Sequence, residues 1–150
     1  MTSFEFQTHA EKMFPLVPHM GLKVKTFLGQ HCVLTGTWRE NKNHIGTVFG
    51  GSLYCFSALS SYGLIWAALS AEGIMTENIV ISEGQIRYLS PVKGDFEVSC
   101  KAPTTIQMEE FFHALQKKGK ARLLLTAEVI RDEKVCAVFQ GTYVARREVS

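Results

Sequence analysis

Charge is missing where this sequence is most informative: from Asn43 to Ala71 there is no Asp, Glu, Lys or Arg. An uncharged stretch of that length has to be buried on nearly every side, which excludes a helix lying half in water. A membrane span fits by length alone. Against it, Ser52, Ser57, Ser60, Ser61 and several glycines interrupt the run, no basic flank or aromatic belt brackets it, and the mean hydropathy of the chain is only +0.04. A helix wrapped by a sheet satisfies the same pattern, and no membrane association is expected.

Other absences narrow the field further. The four cysteines, Cys32, Cys55, Cys100 and Cys136, are far apart, with no C-x-x-C pair and no clustered histidine. Neither a zinc site nor a disulfide framework is signalled, so no metal is expected and the cysteines read as small hydrophobes in a reducing compartment. Sixteen basic residues against 14 acidic ones, scattered along the chain, form no basic stripe, and no nucleic-acid partner is expected. Two short basic runs stand out, Lys117-Lys118-Gly119-Lys120 and Arg146-Arg147. They read as a solvated turn and a terminus, with an anion site as the alternative. Residues Met1 to Ala10 lack a basic and an apolar leader region, so a cytoplasmic location is expected. With no internal repeat and no low-complexity linker, residues 1–150 read as one domain.

What is present fits a sheet around a helix. Phe4 to Phe14, with apolar Phe4, Ala10, Met13 and Phe14, predicts a weak surface helix ended by Pro15 and Pro18. Leu22 to Leu28 and His31 to Trp38 predict a hairpin turning at Gly29-Gln30. The buried helix follows, starting at Gly50. Strand patterns then cover Asn78 to Leu89, Asp95 to Lys101, Lys120 to Arg131 and Val135 to Ala145. A helix over Gln107 to Lys118 separates the middle pair, and Asp132-Glu133-Lys134 links the last two. The reading is α+β: an antiparallel sheet of about six strands curled around one long central helix, the hotdog arrangement. Such a sheet leaves an edge strand and apolar surface uncovered, so a homodimer is expected, with pairing of dimers into a tetramer left open.

The run Asn43 to Tyr54, N-H-I-G-T-V-F-G-G-S-L-Y, leads into that helix. Gly46, Gly50 and Gly51 allow positive φ and close approach of a ligand to the backbone. The first amides of a helix lack partners and carry the positive end of its dipole, which suits an oxyanion, from Gly50, Gly51 or Ser52. A phosphate would suit it too, but the G-K-[ST] ending of a P-loop is absent.

The string N-x-N-H-x-G-T-x-F-G-G-S-L-Y from Asn41, with I-R-Y-L-S-P-V from Ile86, resembles the YiiD C-terminal type of thioesterase in the hotdog superfamily. The resemblance runs over nearly the whole chain. It implies hydrolysis of acyl-CoA or acyl-carrier thioesters in a pocket at a dimer interface, with coenzyme A or the carrier entering as part of the substrate and no separate cofactor. The wider acyl-CoA thioesterases of the superfamily also place a carboxylate two turns into the helix, near Ala58 here, and this helix has none.

The candidates that remain are ranked by chemistry. Asn43 matches the motif and can hold the thioester carbonyl or the attacking water, or else form an Asx turn. Glu83 is a carboxylate in an apolar strand expected to flank the partner's helix start, as a base or simply facing outward. Gly51 and Ser52 supply the oxyanion hole. His44, Gly46, Phe49, Gly50 and Tyr54 line the mouth, and Arg87 meets a coenzyme phosphate or an interface carboxylate. Phe56, Tyr62 and Trp66 line an acyl tunnel or belong to the core, and Ser57, Ser60 and Ser61 contact ligand or bond back to their own helix. A Ser52–His44 nucleophile pair is a weaker reading, since G-G-S-L-Y is not G-x-S-x-G and no orienting acid is evident. Two other functions stay open: a non-catalytic acyl-thioester or lipid binder, and a dehydratase-type lyase.

Overall fold

The computed structural model describes residues 1–148. Six strands form one antiparallel sheet: β1 (Leu22–Leu28), β2 (His31–Gly36), β3 (Ile79–Tyr88), β4 (Phe96–Lys101), β5 (Lys120–Arg131) and β6 (Lys134–Arg146), in the spatial order β1-β2-β4-β5-β6-β3. Four helices accompany it: α1 (Ser3–Met13), α2 (Trp38–Asn41), α3 (Gly50–Ala71) and α4 (Thr105–Lys118). Strand β5 shows why the sheet curls as it does. Ala121, Leu123, Leu125, Ala127 and Val129 are buried on its inner face, while Lys120, Arg122, Leu124 and Thr126 face out. The inner faces of the sheet close on α3, whose residues from Leu59 to Leu69 are all buried. The charge-free stretch is therefore the axle of a hotdog fold, and 78% of its most apolar window is buried within the protein.

Local chemistry sets the joints. The hairpin of β1 and β2 turns at Gly29-Gln30 as read from the sequence. The β5–β6 link is shorter than read, because Lys134 already pairs with Arg131. Only Asp132 and Glu133 turn, both left-handed at φ 51° and 60°, the backbone of a two-residue hairpin matched to strand twist. Strand β2 stops at Gly36 rather than Trp38. Phe56 and Phe96 occupy the space where a side chain at Gly36 would stand, and the next residues coil into α2 because the buried Asn41 amide donates to the carbonyls of Met20 and Thr37. In α1 the buried residues are Phe6 and Ala10, whereas Phe4 is 79% exposed. Phe6 wins because Gly63 of α3 leaves room for its ring, which also stacks on Phe27 at 4.6 Å.

The edges are β1 and β3. A bulge at Ser82, between Ile81 and Glu83, shifts the register of β3 on β6. Directly paired residues share a face, so the slip decides everything beyond it. Ile79 and Ile81 face α3; after the bulge Gly84, Ile86 and Tyr88 do, opposite the inward Gly141, Phe139 and Ala137.

Candidate active site

The loop before α3 is tied down by its own polar groups. Asn43 Oδ1 accepts from the amides of Ile45 (3.0 Å) and Thr47 (3.1 Å), and its Nδ2 donates to Thr47 Oγ1 at 2.8 Å. The side chain thus closes an Asx turn, the structural half of its dual reading. Gly46 sits at φ +82°, and its carbonyl accepts from the indole of Trp38 at 2.8 Å. The amides of Val48 and Phe49 donate to the carbonyls of Val92 and Asn41. The result is a fixed loop that presents His44, Ile45 and Phe49 to solvent.

Helix α3 then starts without a cap. Phe49, at the N-cap position, has no side chain able to accept, and the amides of Ser52 and Leu53 both turn back to the Phe49 carbonyl. That removes Ser52 from the set of free backbone donors. Among the described residues, the amides of Gly50 and Gly51 have no partner, and they stand at the positive end of a 22-residue helix. A side chain at either position would have to displace the end of a neighbouring aromatic ring. A Cβ on Gly50 would lie 3.0 Å from the Tyr88 hydroxyl, and one on Gly51 would lie 2.5 Å from the Phe49 ring.

Three tyrosines brace this end of the helix. Tyr88 Oη donates to the Gly50 carbonyl at 2.8 Å, and Tyr143 Oη donates to the Ala58 carbonyl at 2.7 Å. Tyr54 packs edge-on against Phe139 at 5.2 Å, its hydroxyl occupying the space left by the absent side chain of Gly84. Burial, and next the neighbouring Tyr54, holds the Tyr88 phenol above its ordinary pKa, and burial does the same more strongly for Tyr143. Tyr88 and Tyr143 are therefore hydrogen-bond donors rather than bases at neutral pH. Sequence reasoning named Tyr54 but passed over Tyr88 and Tyr143. The signal for Tyr88 lay in the I-R-Y-L-S-P-V string.

Gly51, Tyr54, Cys55 and Ala58 form a stripe at helical spacing that stays partly open, whereas the helix from Leu59 to Leu69 is covered. Ala58, the position without a carboxylate, is on it. Burial raises the pKa of the Cys55 thiol, so it is not a ready nucleophile. Ser57, Ser60 and Ser61 lie elsewhere. All three are fully buried and donate to the carbonyls of Leu53, Cys32 and Ser57. Phe56, Tyr62 and Trp66 are core: Phe56 packs on Phe96, and the other two hold α1.

Glu83 and Arg87 are not brought to this end of α3. They pair with Thr142 and Val138 and are exposed on the outer face of the sheet. Glu83 borders a hollow of about 210 Å³ with Gln85, Leu124, Gln140 and Thr142. A larger groove, about 850 Å³, opens at the opposite end of α3 between Gly29, Ala68, Ala71, Met108 and Phe112. Its His31 is engaged with Ser99 Oγ at 2.7 Å. The free amides mark the other end.

Solved structures agree with this architecture. A protein of unknown function from Chlorobaculum tepidum is similar at 29% identity and TM-score 0.91, covering 97% of this chain and 94% of its own. A "putative thioesterase" from Shewanella oneidensis is similar at 26% identity and TM-score 0.85, with 96% of each chain covered. A "probable thioesterase" from Pseudomonas aeruginosa, at 19% identity and TM-score 0.82 over 99% of this chain and 97% of its own, shares the fold. The model of the family described as "Putative thioesterase (yiiD_Cterm)" matches residues 3–147, and the chain belongs to that family.

Proposed function

We propose that the protein hydrolyses acyl thioesters, of coenzyme A or an acyl carrier, as a cytoplasmic homodimer whose pocket runs along the open stripe of α3. The observation that carries the reading is the pair of unpartnered amides on Gly50 and Gly51 at an uncapped helix start. Negative charge develops on the carbonyl oxygen when water attacks a thioester, and preorganised backbone donors lower that barrier by a few kcal/mol. Phe49 and His44 border the mouth, and the acyl chain lies over Tyr54, Cys55 and Ala58. The exposed edge of β3, with Val80 and Tyr88 each about half exposed, is the surface on which a second copy covers the stripe. Asn43 contributes by fixing the loop. Activation of water is assigned to a group facing the pocket from the second chain, because Glu83 and Arg87 of the same chain face away.

The test is release of free thiol from acyl-CoA and acyl-carrier substrates of short, medium, long and aryl chains. Release abolished by Gly51→Val supports the reading, and silence across the panel removes it. A second reading has its own observation. Ala58 leaves the stripe without an acid, as expected of a protein that holds a thioester without turning it over; saturable binding with no thiol release favours this one. A dehydratase would use an acid on the buried helix, and α3 has none.

A further inference from the structure

The two basic runs that stand apart in the sequence meet in the fold. Strand β5 begins at Lys120 and β6 ends at Arg146, and these two residues are directly paired. The Arg147 amide donates to the Gly119 carbonyl at 3.0 Å, which draws it to the end of α4. Lys118, Lys120, Arg146 and Arg147, with Asn78 and Glu148, line one hollow of about 840 Å³ at the rim of the sheet. Like charges directly opposite on neighbouring strands are destabilising. Among the described residues none of the four is in a salt bridge, and Glu148 is the one acid in the lining. Cations held together at a cost, in a concave site without aromatic groups for base stacking, fit the phosphates of a small ligand rather than a nucleic-acid strand.

Position narrows the ligand. In one chain the hollow lies at the start of β3, where the Asn78 carbonyl accepts from the Arg146 amide at 2.9 Å. The Gly50 and Gly51 amides lie at the other end, beside Tyr88. The 22 residues of α3 separate the two ends, a length of about 33 Å. A two-fold axis that joins two β3 edges, with both inner faces on one side, runs the strands antiparallel and sets the start of one beside the end of the other. The basic hollow of one protomer then lies at the same end of the joined sheet as the free amides of its partner, with Lys120 and Arg146 on the outer face, so a ligand that uses both passes over the rim.

We propose that this hollow is a phosphate subsite supplied in trans: Lys118, Lys120, Arg146 and Arg147 of one protomer hold the phosphates of a coenzyme A-type nucleotide carrier while its thioester lies on the Gly50–Gly51 amides of the other. The proposal rests on the thioester reading above, and three measurements keep their failures apart. The first is calorimetric titration of the intact dimer with adenosine 3′,5′-bisphosphate. Binding is expected, weakened about tenfold or more in Lys120→Gln/Arg146→Gln, whose folding is checked by thermal melting. The second compares acyl-CoA with phosphate-free acyl-pantetheine, and the double variant is expected to shrink the KM advantage of acyl-CoA by a similar factor. The third mixes subunits carrying Gly51→Val with subunits carrying the double variant; activity on acyl-CoA rises on mixing because one hybrid site regains both parts. Absence of bisphosphate binding, or binding indifferent to the double variant, overturns the subsite even if thioesters are hydrolysed. Mixing without recovery overturns supply in trans. Charge-dependent bisphosphate binding with no hydrolysis of any thioester leaves the subsite standing and sinks the thioesterase reading alone.

Discussion

From Gly50 to Ala58, α3 keeps an open stripe and two unpartnered amides, and its backbone is braced from outside by the hydroxyls of Tyr88 and Tyr143. From Leu59 to Leu69 the same uncharged helix is buried throughout, locked by α1 through Phe6, His9, Tyr62 and Trp66. One composition thus serves two purposes. In the first half the absence of charge leaves an apolar floor beside free donors; in the second it permits close packing. Substitutions should separate the two halves sharply.

The largest effect is expected from a charge placed on the covered side. Ser61→Asp puts a carboxylate at a fully buried position whose hydroxyl now donates to Ser57, and should cost about 3 kcal/mol or more in chemical denaturation. Ala58→Asp, three residues earlier but on the open stripe, should cost about 1 kcal/mol or less. Equal losses at the two positions would erase the distinction between the halves. Next comes Gly63→Val in the locked half. Its Cβ would lie 2.7 Å from the Phe6 ring and 2.8 Å from Cys32 Sγ. Overpacking of this kind costs about 1–3 kcal/mol, and faster proteolysis within α1 is the local readout. In the braced half, Tyr88→Phe removes only the bond to the Gly50 carbonyl. Tyr88 acts through the helix start as a positioning residue, so kcat on an acyl thioester should fall about fivefold while KM and the melting temperature barely move. A matched rise in KM would instead assign Tyr88 to substrate contact.

The same contrast explains what could be read from the sequence. Charge depletion delimited α3, strand patterns gave β4 and β5, and Gly29-Gln30 gave the first hairpin, because those signals are local. The bulge at Ser82 is not local. It is settled by pairing with β6, and it turns Glu83 and Arg87 outward while turning Tyr88 toward the helix start. Without it, simple alternation from Ile79 puts Glu83 on the inner face. Phe6 rather than Phe4 is buried because of a glycine nearly sixty residues away, at Gly63. The basic runs look like solvated ends until strand pairing sets Lys120 against Arg146. The glycines at the start of α3 were legible; the phenols beside it and the meeting of the basic runs depended on register.

The smallest expected effect probes how α1 holds the locked half. His9 Nε2 lies 2.8 Å from Tyr62 Oη, and its ring stacks on Trp66 at 3.8 Å. Burial pushes the Tyr62 phenol up to about 12, so the phenol donates and His9 accepts as neutral imidazole. Burial, the largest influence, holds the His9 pKa below its ordinary 6.5; Glu77 opposes the shift and Lys12 adds to it. In the unfolded chain His9 takes up a proton near that ordinary value, whereas the folded chain resists until lower pH. Across that interval the unfolded state binds more protons, so stability is full above about pH 7 and declines as pH falls toward the folded pKa. His31, shifted the same way by burial and next by Lys101, adds a slope of the same sign. His9→Phe keeps an aromatic ring on Trp66 and removes the titration. Melting temperatures of the variant should therefore fall less steeply than those of the parent between pH 7.5 and 5.5, leaving the part that belongs to His31. Parallel curves would mean that His9 accepts its proton without leaving Tyr62, and that the lock on α1 is indifferent to charge.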